Sequence, residues 1–308
     1  MPLDPHIKRL LRTLSVAGTV ADPGITQRRD AFRGLMRLSE IGSQVGAIEQ
    51  RDLAGGVTIR LYAPRNADSG RLPALVYFHG GGFICGDLDT HDPFCRTLCE
   101  VTESRIVSVL YRQPPEHRFP AALDDALAAA GWVIDHAEEI AVDPTRIGIA
   151  GDSAGGTLAA AVCSHVARTR PGVLALQLLL CPILEANADT VSRREMGQGY
   201  LVETRGLAEE MAHYLPPGTD PLHPDISPLR QPELRHLPPT VIHTAEFDPL
   251  KDEGAAYAER LRQAGVDVRY TCHPGMVHLF YAFGRVVPYA RQAHRQIGAE
   301  VVERLGAA

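Results

Sequence analysis

The chain has 308 residues, of which 45% are hydrophobic and 22% charged, enough apolar material for a core of one or two domains and too much for global disorder. Its 31 Lys and Arg stand against 37 Asp and Glu, for a net charge of -6. Such a surface repels a phosphate backbone, and no basic patch interleaved with aromatics occurs, so no nucleic-acid partner is expected.

Taken in chain order, residues 1–45 are helical in pattern. Ile7, Leu10, Leu11 and Leu14, then Phe32, Leu35, Met36 and Leu38, recur at helical spacing around a turn over Ala21, Asp22, Pro23 and Gly24. Residues 57–62 alternate apolar and polar, as a half-buried strand does. Nearly continuous apolar runs follow at 74–78, 105–111, 146–150, 174–180 and 240–245, with a further strand at 266–272. Runs of this kind fit strands covered on both faces of a parallel sheet. Helical segments at 121–137, 155–168 and 252–264 lie between them, which makes the fold class α/β. Residues 185–228 break the rhythm. They are polar and proline-rich, hold one expected helix over 203–214, and read as an insertion over the sheet.

Targeting signals are not evident. Residues 1–18 contain no apolar core of leader length. The most apolar stretch, 173–181, is interrupted by Gln177 and falls short of the roughly 20 residues that cross a bilayer. Cys85, Cys95, Cys99, Cys163, Cys181 and Cys272 show no framework spacing and read as free thiols. The expectation is a cytoplasmic protein with no membrane association.

The residues able to do chemistry begin with Gly151-Asp152-Ser153-Ala154-Gly155-Gly156, set between a strand and a helix. A strand-to-helix turn this sharp strains its central residue and needs small neighbours, leaving Ser153 projecting at the apex as a nucleophile. A glycine-rich turn that merely enters a helix is the plainer alternative. His79-Gly80-Gly81-Gly82-Phe83 follows the 74–78 run. Glycines free backbone N–H groups to converge where an oxyanion forms, so Gly81 and Gly82 are the expected donors, with Ala154 the third. His79 is expected to shape the loop rather than react, and Phe83 to line the substrate pocket. A serine needs a base and the base an orienting acid. His278, after the 266–272 strand, is the expected base, with His273 its competitor and His243 a core residue. Asp248, at the C-terminal end of the 240–245 run, is the expected acid, with Asp252 the runner-up. The order Ser, Asp, His is that of α/β-hydrolases. His91, Cys95 and Cys99 share a helical stripe, read as a packed helix face rather than a metal site. Asp124 and Asp125 are read as a solvated face. No metal or organic cofactor is expected.

These motifs together resemble the hormone-sensitive-lipase-like family of α/β-hydrolases, in its bacterial carboxylesterase and lipase branch. His79 to Phe83 is similar to the family's oxyanion signature, with Gly80 as motif support. Residues 151–156 are similar to its nucleophile elbow, with Asp152 as motif support. Tyr111-Arg112, Pro115-Glu116, Phe119-Pro120-Ala121 and Asp124-Asp125 resemble a further family stretch, and Asp248-Pro249-Leu250 and His278 fall where the family keeps acid and base. The chain departs at Gln113-Pro114, where the family has Leu-Ala, and at Thr157, where it often has Asn. The resemblance implies an α/β-hydrolase fold: a mostly parallel sheet flanked by helices, with a helical cap from 1–45 and 185–228 and a catalytic domain from 46–184 and 229–308. It also implies a serine carboxylesterase acting on small-molecule esters of short to medium acyl chains, and a possible homodimer through the last strand. A peptidase or amidase on the same scaffold, and a non-catalytic small-ligand-binding module, are the alternative readings.

Overall fold

The structure is a computed structural model that describes residues 1–16, 24–39, 42–65, 67 and 70–306. The expected turn over 21–24 falls largely on residues outside that set. Among the described residues eight strands are formed: β1 (Ala47–Asp52), β2 (Thr58–Ala63), β3 (Leu72–Phe78), β4 (Arg105–Leu110), β5 (Val142–Asp152), β6 (Leu174–Leu180), β7 (Thr240–Phe247) and β8 (Val268–Val277). The helices are α1 (Pro5–Val16), α2 (Ile25–Met36), α3 (Asp92–Thr102), α4 (Ala121–Asp135), α5 (Ala154–Thr169), α6 (Val191–Glu195), α7 (Thr204–Tyr214), α8 (Lys251–Gln263) and α9 (Tyr289–Leu305).

The strands make one sheet in the order β1-β2-β4-β3-β5-β6-β7-β8. β1 and β2 run antiparallel, as do β2 and β4, and every later pairing is parallel. β3 shows why the apolar runs are continuous. Ala74, Val76 and Phe78 enter one core with α4, α5 and α8, while Leu75 and Tyr77 enter the other with α1, α3 and α9. A strand packed on both faces has no polar side to display in its sequence. β1 was not anticipated, because its residues are almost all exposed and it is held by backbone pairing alone at the sheet edge. β8 continues past 272 to Val277, through Pro274, and an edge strand tolerates the missing N–H. No described helix is long and apolar enough to cross a membrane.

Asp124 is exposed, but the solvated reading of Asp125 is corrected. Asp125 is buried and accepts from Arg112 Nη2 at 2.7 Å, Arg112 Nε at 2.9 Å and the Arg112 backbone N–H at 2.8 Å. The partner comes from the loop after β4, a contact that helix periodicity does not reveal.

The two segments expected to form a cap bind the same loops. On α2, Arg29 donates to the Ile84 carbonyl at 2.9 Å and forks onto Glu116 with two contacts of 2.8 Å. Arg28 pairs with Glu209 of α7. α7 in turn is held by Phe119 N–H on the Tyr214 carbonyl at 2.9 Å and by Arg118 on the Leu215 carbonyl at 2.8 Å. The 185–228 segment is anchored by a buried ion pair. Arg193 Nε donates to Glu253 Oε1 of α8 at 2.7 Å, and Glu253 Oε2 accepts the N–H groups of Leu184 and Glu185, each at 2.9 Å. Arg193→Ala strands that carboxylate without its cation, and should cost about 3–5 kcal/mol. Urea unfolding of wild type and variant measures the loss, and an unchanged midpoint would contradict it.

Candidate active site

Ser153 sits between β5 and α5 at φ 52° and ψ -119°, a backbone that serine adopts only when its surroundings compel it. The compulsion is steric. A Cβ on Gly151 would fall on the Gly155 carbonyl, and one on Gly155 would fall on the Phe78 carbonyl, so the strand, the helix and β3 close up only because both residues are glycine. The Ser153 N–H donates to the Leu180 carbonyl at 2.9 Å and its carbonyl accepts from Ile183 at 3.1 Å, which fixes the turn against the end of β6. Thr157, the departure at the elbow, donates its hydroxyl to the Ile183 carbonyl at 2.7 Å and ties α5 to the same loop.

Asp248 leaves β7 and His278 leaves β8, both at the C-terminal ends of their strands, beside the elbow at the end of β5. His278 Nε2 lies 3.0 Å from Ser153 Oγ and His278 Nδ1 lies 2.8 Å from Asp248 Oδ2. The other Asp248 oxygen accepts the Leu250 N–H at 2.9 Å, which orients the carboxylate. All three side chains are buried. Burial disfavours the imidazolium, but the adjacent Asp248 carboxylate outweighs it and raises His278 above its ordinary value of 6.5.

The loop after β3 turns through Gly81 at φ 119° and Gly82 at φ 62°. Among the described residues the N–H groups of Gly81, Gly82 and Ala154 donate to no other protein atom. Asp152 joins this loop to the elbow. Its Oδ1 accepts the Gly80 N–H at 2.8 Å and the Tyr77 hydroxyl, and its Oδ2 lies 3.8 Å from His91 Nε2. Burial pushes the Asp152 carboxyl up, but His91 and the Tyr77 hydroxyl more than offset that, and it is held below the usual range. His79 is fully buried, stacked on Tyr111 at 4.3 Å and on His91 at 5.2 Å, with Nδ1 against the Gly80 carbonyl at 2.9 Å. Burial and then His91 hold His79 down at about 4, so it is neutral and packs the loop. Gln113, the other departure, reaches the same loop and donates to the Gly86 carbonyl at 2.8 Å. Phe83 is buried with one face stacked on Tyr214 of α7, centroids 3.8 Å apart.

The competitors lie elsewhere. His273, within β8, contacts His243 at 2.9 Å and the Tyr289 hydroxyl at 3.2 Å rather than Ser153. Asp252 accepts the Ser192 N–H at 2.8 Å and so pins α6. Cys95 and Cys99 are buried in the core and Cys99 is pushed up to about 12 by burial, so neither offers a thiolate beside His91. Among the described residues only Cys181, Asp248 and His278 gather as ligand-type atoms. Burial keeps the Cys181 thiol protonated, and the other two already bond each other. One residue at the site escaped the sequence reading: Glu210 of α7, whose carboxyl group lies against Gly82. No local motif marks it, because only the docking of α7 brings it there.

A serine on a strained strand-to-helix turn, a glycine loop and a strand-end carboxylate and imidazole on this sheet define an α/β-hydrolase. The alpha/beta hydrolase fold family matches residues 75–282. The carboxylesterase NlhH of Mycobacterium tuberculosis is 40% identical over 300 residues, covering 94% of this chain and 92% of its own. The ethyl acetate hydrolase of Pseudomonas putida is 37% identical over 234 residues, covering 75% of this chain and 74% of its own. Among solved structures, a hyperthermophilic esterase from the archaeon Pyrobaculum calidifontis superposes with a TM-score of 0.92 at 35% identity, covering 98% of this chain and 99% of that one. The chain belongs to the hormone-sensitive-lipase-like family of α/β-hydrolases. It is a carboxylic ester hydrolase.

Proposed function

We propose that the chain hydrolyses short- to medium-chain carboxylic esters through an acyl-enzyme on Ser153. The observation that carries this is the continuous line from Asp248 Oδ2 through His278 to Ser153 Oγ, at 2.8 and 3.0 Å. His278 Nε2 takes the hydroxyl proton as Oγ attacks the ester carbonyl. The carbonyl π pair moves to oxygen, where the N–H groups of Gly81, Gly82 and Ala154 receive it. The tetrahedral intermediate collapses with loss of the alkoxide, which takes the proton from His278. Water then enters, gives a proton to the same nitrogen as its oxygen bonds to the acyl carbon, and the Ser153 Oγ–acyl bond breaks as Oγ takes that proton back, releasing the acid and the free serine. His79, Gly80 and Asp152 hold the donor loop, and Phe83 presents the remainder of its ring to the acyl pocket.

The helices α2 and α7 act as the cap. Their seating over the loops after β3 and β4 limits the length of chain the site admits, which supports short to medium acyl groups. A p-nitrophenyl ester series from acetate to laurate should peak at or below the middle of the range. Turnover of aminoacyl anilides without turnover of these esters would overturn the reading in favour of an amidase.

The base must be neutral to act, so kcat/KM falls as pH drops through the His278 value in the free enzyme. Because Asp248 raises that value, the acid limb should lie above 6.5. A pH profile of kcat/KM on p-nitrophenyl butyrate reads it, and a limb below 6.5 would contradict the pairing.

A further inference from the structure

Glu210 occupies an unusual place for a carboxylate. A methyl group on Gly82 would fall on its Cδ and both of its oxygens, so α7 sets this group directly against the loop whose N–H groups receive the oxyanion. It also lies within electrostatic reach of His278. The charged and titratable groups facing it are Arg28 of α2, Glu209 of its own helix, Cys85 of the glycine loop and His278. Arg28 is engaged with Glu209, and among the described residues Glu210 makes no hydrogen bond or ion pair. Burial holds its carboxyl up at about 7 against the opposing pull of Arg28 and His278, so above neutrality the site carries a negative charge against the Gly82 loop. A half-buried carboxylate that makes no ion pair of its own gains from a ligand that brings a cation into contact with it.

We propose that Glu210 is a specificity-determining residue that makes the site favour esters bearing a cationic group within a few atoms of the scissile carbonyl. The inference rests on the esterase reading above. The same charge disfavours esters whose acyl or alcohol part is anionic, and it opposes the oxyanion of neutral substrates, so neutralising it should move cationic and neutral esters in opposite directions.

The test compares kcat/KM for matched pairs at pH 8 in low salt. Acetylcholine is set against its carbon isostere, in which a quaternary carbon replaces the nitrogen. The p-nitrophenyl ester of trimethylammoniobutyrate is set against its own carbon isostere. Each pair is measured for wild type, Glu210→Gln and Glu210→Leu, with active sites counted by a phosphonate that labels Ser153, so that misfolded protein does not enter the rate. A fivefold or larger fall in the cationic-to-neutral ratio on Glu210→Gln, in either pair, is the expected result. If Glu210→Gln yields too few labelled sites, the same criterion applies to Glu210→Leu. A smaller fall, no change or a rise in both pairs overturns the proposal. Failure of wild type to hydrolyse any of the neutral esters would instead indict the esterase reading itself.

Discussion

Replacing Ser153 with alanine is expected to lower kcat for p-nitrophenyl butyrate by about 10⁶-fold, roughly 8 kcal/mol of transition-state stabilisation, with KM little changed. The size follows from what is lost. The hydroxyl is the attacking atom, and without it the backbone N–H groups can only assist the slow direct attack of water. The fold should survive. Apart from its contact with His278 Nε2, the Ser153 hydroxyl has no hydrogen-bond partner among the described residues, so its removal strands no other buried group there. Alanine bears the positive φ at this turn at about the cost that serine does. A residual rate above the uncatalysed one should persist, because the amides of Gly81, Gly82 and Ala154 remain in place. Circular dichroism and steady-state kinetics on the same preparation separate loss of chemistry from loss of structure. A variant as active as wild type would remove Ser153 from the reaction.

The second large effect belongs to Asp248→Asn, for which a fall of about 10⁴ in kcat is expected. The change is isosteric, so the loss is electronic. In the wild type one carboxylate oxygen accepts from the Leu250 N–H and the other faces His278 Nδ1. The Leu250 N–H selects the amide oxygen of asparagine, which turns the NH₂ toward the imidazole. Nδ1 must then accept, the proton moves to Nε2, and the nitrogen facing Ser153 Oγ can no longer act as a base. Removing the carboxylate charge also removes what raises His278, so the acid limb of kcat/KM should shift downward. A fall in rate with no movement of that limb would mean that Asp248 only positions the loop.

Much of this site was legible because its parts are local. The elbow is written in consecutive residues, since Gly151, Ser153 and Gly155 must stand at fixed offsets for a strand to turn into a helix around a strained apex. The glycine loop is equally compact. Asp248 and His278 could be read from their places just beyond apolar runs, which is where parallel strands deliver side chains to a common edge. What stayed hidden depends on packing between distant segments. The run 47–52 carries no strand pattern because β1 is held by backbone bonds at the sheet edge and buries little. Asp125 looked solvated because the cation that covers it, Arg112, lies across a loop and itself stays exposed. Asp152 was visible as part of a motif. Its work of joining the Gly80 amide, the Tyr77 hydroxyl and His91 emerges only once β3, α3 and β5 are stacked side by side. Glu210 is the extreme case, since only the seating of α7 on Phe83 through Tyr214 aims its carboxyl group at Gly82.

The covalent intermediate can be sought directly. Rapid acid quench of the enzyme during turnover of p-nitrophenyl butyrate, followed by mass spectrometry of the proteolytic peptides, reads which side chain carries the acyl group. A butyryl adduct on Ser153, absent from Ser153→Ala, is the expected result. Full turnover with no adduct on any residue, or an adduct at another nucleophile, would contradict it.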